Sequence, residues 1–263
     1  MEFYFKLLLS FIIGSVWITL ATVIAEQFGS KVGGVIAGVP STILVSLFFI
    51  GWTQNLMIAK QATSIIPAIL ALDALFVFIY ILMGKFGFLS AATSSLIFWI
   101  ILALTLIFNN FNRFFLGFLF LLIVLIFVFN FSEKKMHIIP QKRKRIQYTL
   151  GQILIRGLIT GTIIVFSVVM AKIGGPLFGG AFSCFPAVMI STMVITYYEH
   201  GMDFSRAVMK ILMISGPINV VIYAIFFRFS ILSFGLFGAT LFAFIISIIS
   251  TYMVYRFVNK KML

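Results

Sequence analysis

Apolar residues run along this chain in long unbroken blocks, and polar residues gather in short clusters between them. The blocks are about 18–22 residues long, which suits a helix crossing a hydrocarbon core of about 30 Å. Barrel strands would instead alternate apolar and polar residues over about 10 positions. The pattern predicts nine membrane helices, over residues 7–26, 33–52, 61–83, 88–108, 114–131, 150–171, 178–198, 206–228 and 232–255. The first block is too long for the apolar core of a signal peptide and its leading segment carries Glu2 as well as Lys6, so it is read as a membrane helix.

A second pattern lies inside the first. Ala25, Gly29, Gly33, Gly34 and Pro40 recur as Ala171, Gly175, Gly179, Gly180 and Pro186, with the same spacing and an offset of 146 residues. In that register predicted helices 1–4 fall on helices 6–9, and helix 5 has no counterpart. A four-helix unit repeated directly would keep its orientation across the membrane. The unpaired fifth helix turns the second copy over. The expected fold is therefore all-α and polytopic, with two inverted four-helix repeats (1–111 and 150–263) joined by a linker helix and basic loop (112–149).

Composition agrees with a bilayer environment. Of 263 residues, 62% are hydrophobic and only 10% charged, with 33 phenylalanines, too little charged surface for a water-soluble domain of this length. The net charge of +13 could point to nucleic acid, but topology explains it better. Six of the 19 Lys and Arg residues fall in Glu133–Ile146, which ends in Lys142, Arg143, Lys144 and Arg145. This run reads as a positive-inside anchor, or more sharply as a patch for anionic lipid headgroups. Either reading puts it in the cytoplasm, the N-terminus outside and the C-terminus inside a plasma membrane. Lys31, Lys85, Arg206, Lys210, Arg256, Lys260 and Lys261 then join it inside, against Lys6, Lys60, Arg113, Lys172 and Arg228 outside. The one cysteine, Cys184, forms no disulfide within the chain.

Candidate chemistry sits in the repeated block. Gly33-Gly34 leads to Pro40, Ser41 and Thr42, and Gly179-Gly180 leads to Ser183 and Pro186. One reading is close helix packing with a proline kink. The other is a discontinuous helix at a central cavity, whose exposed N–H groups and positive dipole end, with the Ser41 and Thr42 hydroxyls, suit an anionic or polar solute. Asp73 is the only acid well inside a predicted span. An ionised carboxylate at the bilayer centre costs roughly 2.5–3.5 kcal/mol, so Asp73 is expected to be protonated or to face a polar cavity. It is either a hydrogen-bonded structural residue or a proton- or cation-coupling residue. Its counterpart in the second copy is Asn219, and Pro67 and Pro217 are expected to loosen the helices that carry the pair.

Other polar residues read as ordinary. Arg156 is expected to snorkel to the membrane surface. Glu199, His200 and Asp203 read as loop charge, or as a weak metal or gating cluster. No metal-ligand cluster, phosphate-binding loop or hydrolytic constellation stands out, so no enzyme activity, metal or cofactor is expected.

The stretch from Gly179 to Tyr223, with Phe185-Pro186, a short polar loop at His200-Gly201 and a further helix with Pro217, resembles small GlpM-type inner-membrane proteins. The first half, with Gly33-Gly34 through Pro40-Ser41-Thr42, is similar to related short families of unknown function. The resemblance implies a tandem-duplicated relative and no particular substrate. Two functions stay open on the sequence: a secondary transporter or permease for an unidentified small solute, and a scaffold, accessory or lipid-handling protein without a solute path.

Overall fold

Several helices stop beside glycine, proline or asparagine, which make continuation costly. The computed structural model describes residues 1–26, 39–135 and 149–261. Gly34 and the basic run Lys142, Arg143, Lys144 and Arg145 lie outside the described residues. Within them the elements are α1 (Glu2–Glu26), α2 (Ser41–Thr53), α3 (Leu56–Ala62), α4 (Ile66–Met83), α5 (Phe88–Phe108), α6 (Phe114–Lys135), α7 (Leu150–Ile173), α8 (Pro176–Ser183) and α9 (Ala187–Lys261), and none is a strand. The backbone of α9 breaks at Gly201 (φ +80°) and Gly235 (φ +67°). Both angles favour glycine. They divide α9 into α9a (187–200), α9b (202–234) and α9c (236–261).

Six helical runs among the described residues are long and apolar enough to cross a membrane: Glu2–Ala21, Ile66–Phe86, Phe88–Phe108, Phe114–Lys134, Leu150–Ile173 and Pro176–Phe257. The last has 82 residues. At about 1.5 Å per residue it would be far longer than one crossing, and its breaks at Cys184, Gly201 and Gly235 fold it back. Ser41–Thr53 is apolar and shorter. The described residues are all-helical, and these long apolar runs are compatible with an integral membrane protein.

The predicted third span, 61–83, is interrupted. α3 ends at Ala62 and α4 begins at Ile66, with Pro67 in its first turn. There proline lacks no bond that a helix would have made, so Pro67 starts a helix and does not loosen its middle. Pro217 lies inside α9b, whose backbone stays helical through it.

Contacts gather at two rims. On the first, Lys6 donates to the Trp52 carbonyl (3.2 Å), Lys172 sits over the Phe3 ring, and Arg228 reaches the Lys60 carbonyl (2.8 Å) and lies over Phe114. On the second, Glu133 pairs with Lys210 (2.8 Å), Phe88 stacks on Tyr197, Phe129 meets Phe257, and Gln152 meets Glu199 (3.5 Å). The start of α1 is thus on the first rim and the end of α9c on the second.

Two helix pairs cross antiparallel at the centre. α1 packs on α7: Gly161 faces Ser15 and Phe11, and Gly157 faces Thr19 and Ser15. Ser15 and Gly161 are 146 residues apart, and so are Phe11 and Gly157. α4 packs on α9b: Gly84 abuts Met202 and Arg206 at one end, and Arg228 bonds to Thr63 and Ser64 at the other. The core between them is dense, with Phe76, Tyr80, Tyr223 and Phe227 fully buried.

The Glu133–Lys210 pair ties α6 to α9b, with the Lys210 side chain 7% exposed and that of Glu133 25%. Removing one partner of a buried pair strands the other. Lys210→Met should lower stability by about 1–3 kcal/mol, and adding Glu133→Gln should restore part of it. Denaturation of the purified protein in detergent, followed by circular dichroism, checks this. Equal stability of all three proteins would count against the tie.

Candidate functional site: a central cavity between the two Gly/Pro blocks

α2 begins with Pro40 as its N-cap, and no side chain caps it. In the second block α8 ends at Ser183, Cys184 takes a non-helical turn, and α9a restarts after Pro186. Pro186 therefore marks a broken helix, and Pro40 marks a helix start in the same register. The first N–H groups of a helix have no partner within it, and here Ser41 N–H donates to the Val39 carbonyl and Ala187 N–H to the Phe185 carbonyl, both at 2.7 Å.

These two starts face one cavity of about 60 Å³. Five pairs of its lining residues are related by the 146-residue offset: Val39 with Phe185, Pro40 with Pro186, Thr42 with Val188, Ile43 with Met189, and Leu70 with Gly216. Ser41, Ser183, Cys184 and Asp73 supply the polar wall. No Lys, Arg or His lines it among the described residues. That is room for a few ordered waters and lies well below the roughly 300–1,000 Å³ of an ordinary small-molecule pocket, so a solute would need the space to open. The cavity touches the middle of α4 and of α9b.

Asp73 is buried, at 3% exposure. Its Oδ1 accepts a 2.7 Å hydrogen bond from Trp99 Nε1, on α5. Trp99 is itself buried, edge-on to Phe185 of the second block. A tryptophan in mid-span is a readable signal, because its N–H needs a partner away from the membrane interface. The sequence reading passed over Trp99, and with it Leu70, Phe185, Gly216 and the place of Cys184 on the wall.

The structure brings Pro40, Ser41, Thr42, Ser183, Pro186 and Asp73 together. It does not bring Asn219 with them. Asn219 is fully buried, and its Oδ1 accepts a 2.6 Å bond from Ser250 of α9c. Asp73 and Asn219 therefore make the same kind of tie, each from one central helix to the next helix in the chain, and only Asp73 reaches the cavity. Gly180 is also absent from the wall. It packs against the backbone carbonyl of Ala62, while Gly179 packs against Ala171. In the second copy the glycines serve close packing and the proline shapes the cavity.

Arg156 does not snorkel. It is 1% exposed and its Nη2 donates to Thr192 Oγ1 of α9a (3.2 Å). α9a faces inward over this stretch, so its hydroxyls give an arginine one turn inside α7 a partner in the protein. Nearby, the Tyr80 hydroxyl shares a 2.8 Å bond with Ser205, and Thr196 donates to Ser205 (2.9 Å). Glu199, His200 and Asp203 do not form a metal-binding group; none occurs among the described residues.

These features describe a helical protein, its long apolar helices compatible with a membrane, with a small mid-helix cavity between two similar helix starts. Residues 7–113 match a family described as a protein of unknown function (DUF3147). The match runs from α1 through α5 and ends one residue before α6. No curated protein and no solved structure matches the chain.

Proposed function

We propose that the protein is a secondary transporter or permease that carries a small solute through the central cavity. The observation that carries this reading is the set of five offset-related pairs on one cavity wall. Two equivalent halves meeting at a mid-membrane site can exchange conformations and open it to either side. The helices form nine crossings in two inverted repeats with α6 as the linker, a tandem relative of the short GlpM-type proteins. Support comes from the antiparallel crossings of α1 with α7 and of α4 with α9b, and from the contact between Ser15 and Gly161. Chain ends on opposite rims suit an odd number of crossings. The rim bearing Lys6, Lys60, Lys172 and Arg228 faces outside a plasma membrane, and the basic run from Lys142 to Arg145 meets anionic lipid inside.

Asp73 couples or binds in this reading. Proteoliposomes holding a trapped pH dye and challenged with a solute library test it. The wild type should move protons with at least one solute, and Asp73→Asn should abolish that movement while eluting and melting like the wild type. Unchanged flux in Asp73→Asn would remove Asp73 from the mechanism. No solute-driven flux in the wild type would overturn the transport reading.

A further inference from the structure

We infer that a polar pocket at the first rim, beside the Arg228 contacts, binds an uncharged molecule bearing several hydroxyls: a free sugar or polyol, or the sugar head of a neutral lipid. The inference goes beyond the transport reading and does not rest on it. The pocket holds about 380 Å³, inside the range of about 300–1,000 Å³ of small-molecule sites. Four parts of the chain converge on it. Gln61 comes from α3, Ser64 from the turn before α4, Asn110 and Asn112 from the connection between α5 and α6, and Leu177 and Phe178 from α8. Ser64 and Ile107 are buried and form the floor, while the three carboxamide residues are exposed around the mouth.

The wall chemistry selects the ligand. A carboxamide holds a donor and an acceptor side by side, as does a pair of neighbouring hydroxyls. An ammonium only donates and a carboxylate only accepts, so neither uses such a wall fully. No charged side chain lines the pocket among the described residues. Lys60 and Arg113, the chain neighbours of Gln61 and Asn112, are not on the wall, and Arg228 directs Nη1 at the Lys60 carbonyl, Thr63 and Ser64. An ion would give up water for a wall without a countercharge. Leu177 and Phe178 offer an apolar face to the C–H side of a sugar ring. The end of α5 supports the reading independently. Its backbone closes with Asn110 N–H on the Ile107 carbonyl (2.9 Å) and Phe111 N–H on the Leu106 carbonyl (3.0 Å), with Asn110 left-handed at φ +50°. Glycine is the usual residue at such an end. The other positive-φ residues among those described, Gly87, Gly175, Gly201 and Gly235, are all glycine. Asparagine carries a steric cost there that glycine avoids, and it adds a carboxamide to the pocket.

The full chain in phosphatidylcholine nanodiscs, where no sugar-headed detergent competes, tests this by two measurements. Ligand-observed NMR titrations with maltose, myo-inositol, inorganic phosphate and tetramethylammonium read the free solutes. Native mass spectrometry from nanodiscs of equal phosphatidylcholine and monoglucosyl diacylglycerol reads retained lipid. Saturable binding of maltose or inositol assigns a free polyol, and selective retention of the glucosyl lipid assigns a headgroup. Asn110→Gly should weaken whichever is bound by about tenfold and should melt like the wild type, because glycine keeps the backbone and removes the carboxamide. Gln61→Leu, on an exposed position of α3, serves in its place if Asn110→Gly fails to fold. Neither polyol nor glucosyl lipid bound, phosphate or tetramethylammonium bound more tightly than either, or binding unchanged in a folded Asn110→Gly protein would each overturn the inference. Polyol binding without solute-driven flux would sink the transport reading and keep this site. Flux without polyol or glucosyl-lipid binding would do the reverse.

Discussion

Gly180→Leu should yield no folded protein, and Gly180→Ala should melt about 5–10 °C below the wild type. A Cβ at this position collides with the carbonyl oxygen of Ala62, at the last residue of α3. The obstacle is backbone, so no rotamer change relieves it. α8 has no room to retreat, because Gly179 on the adjacent position already touches the Cα and Cβ of Ala171 in α7. An added methyl therefore pushes α3 and α7 apart, with a cost at or above the usual 1–3 kcal/mol or so of overpacking. Size-exclusion profiles and melting curves in detergent decide the matter. A Gly180→Leu protein that elutes and melts like the wild type would show that α8 is not wedged between α3 and α7.

That result also bears on what the sequence could disclose. The doubled block was legible because glycine and proline are costly within helices, so two copies at one spacing stand out from the apolar background. Pro40 and Pro186 proved to bound a shared cavity, and Asp73 lies on its wall. The purpose of Gly180 was not legible. Small residues serve a packed interface and a solute path alike, and only the neighbour, Ala62, tells them apart. Asn219 misled for a related reason. Sequence register gives its equivalence to Asp73 along the chain, and the partners Trp99 and Ser250 decide which of the two meets the cavity. Arg156 was read as an exposed charge because depth in a span is visible and the inward face of a partner helix is not. The long run Ala187–Lys261 shows the converse. Hydropathy divides it at a polar loop and then near 229–231, whereas the backbone breaks at Gly201 and Gly235. Arg228 stays inside the helix, its side chain folding back onto α3 and the turn before α4.

Arg228→Ala should raise the rate at which an impermeant maleimide labels Cys184 by about tenfold or more. Arg228 directs one nitrogen, Nη1, at the Lys60 carbonyl (2.8 Å), Thr63 Oγ1 (2.9 Å) and Ser64 Oγ (3.1 Å). The group thus clasps α9b to the turn between α3 and α4 at the first rim. At the same rim a polar pocket of about 380 Å³ is lined by Gln61, Ser64, Asn110 and Asn112 together with Pro176 and Leu177 at the start of α8. α8 begins in that pocket and ends at Ser183 on the central cavity, so it is the partition between them. Hydrogen bonds to a charged group contribute about 1.5–3 kcal/mol, and losing that much from a closed state raises the open population by about ten- to a hundredfold. Cys184 is the only cysteine, buried and on the cavity wall, so its labelling reports the opening without an engineered probe. Arg228→Lys should label closer to the wild-type rate than the alanine variant does, because a single nitrogen meets all three acceptors and an ammonium carries three donors. Melting should change by no more than a few degrees, since the clasp sits at a rim and the core below it is intact. Equal labelling of wild type and Arg228→Ala would place the route to the cavity elsewhere, and the second rim, where Tyr80 and Ser205 close the gap between α4 and α9b, would be the next to open by mutation.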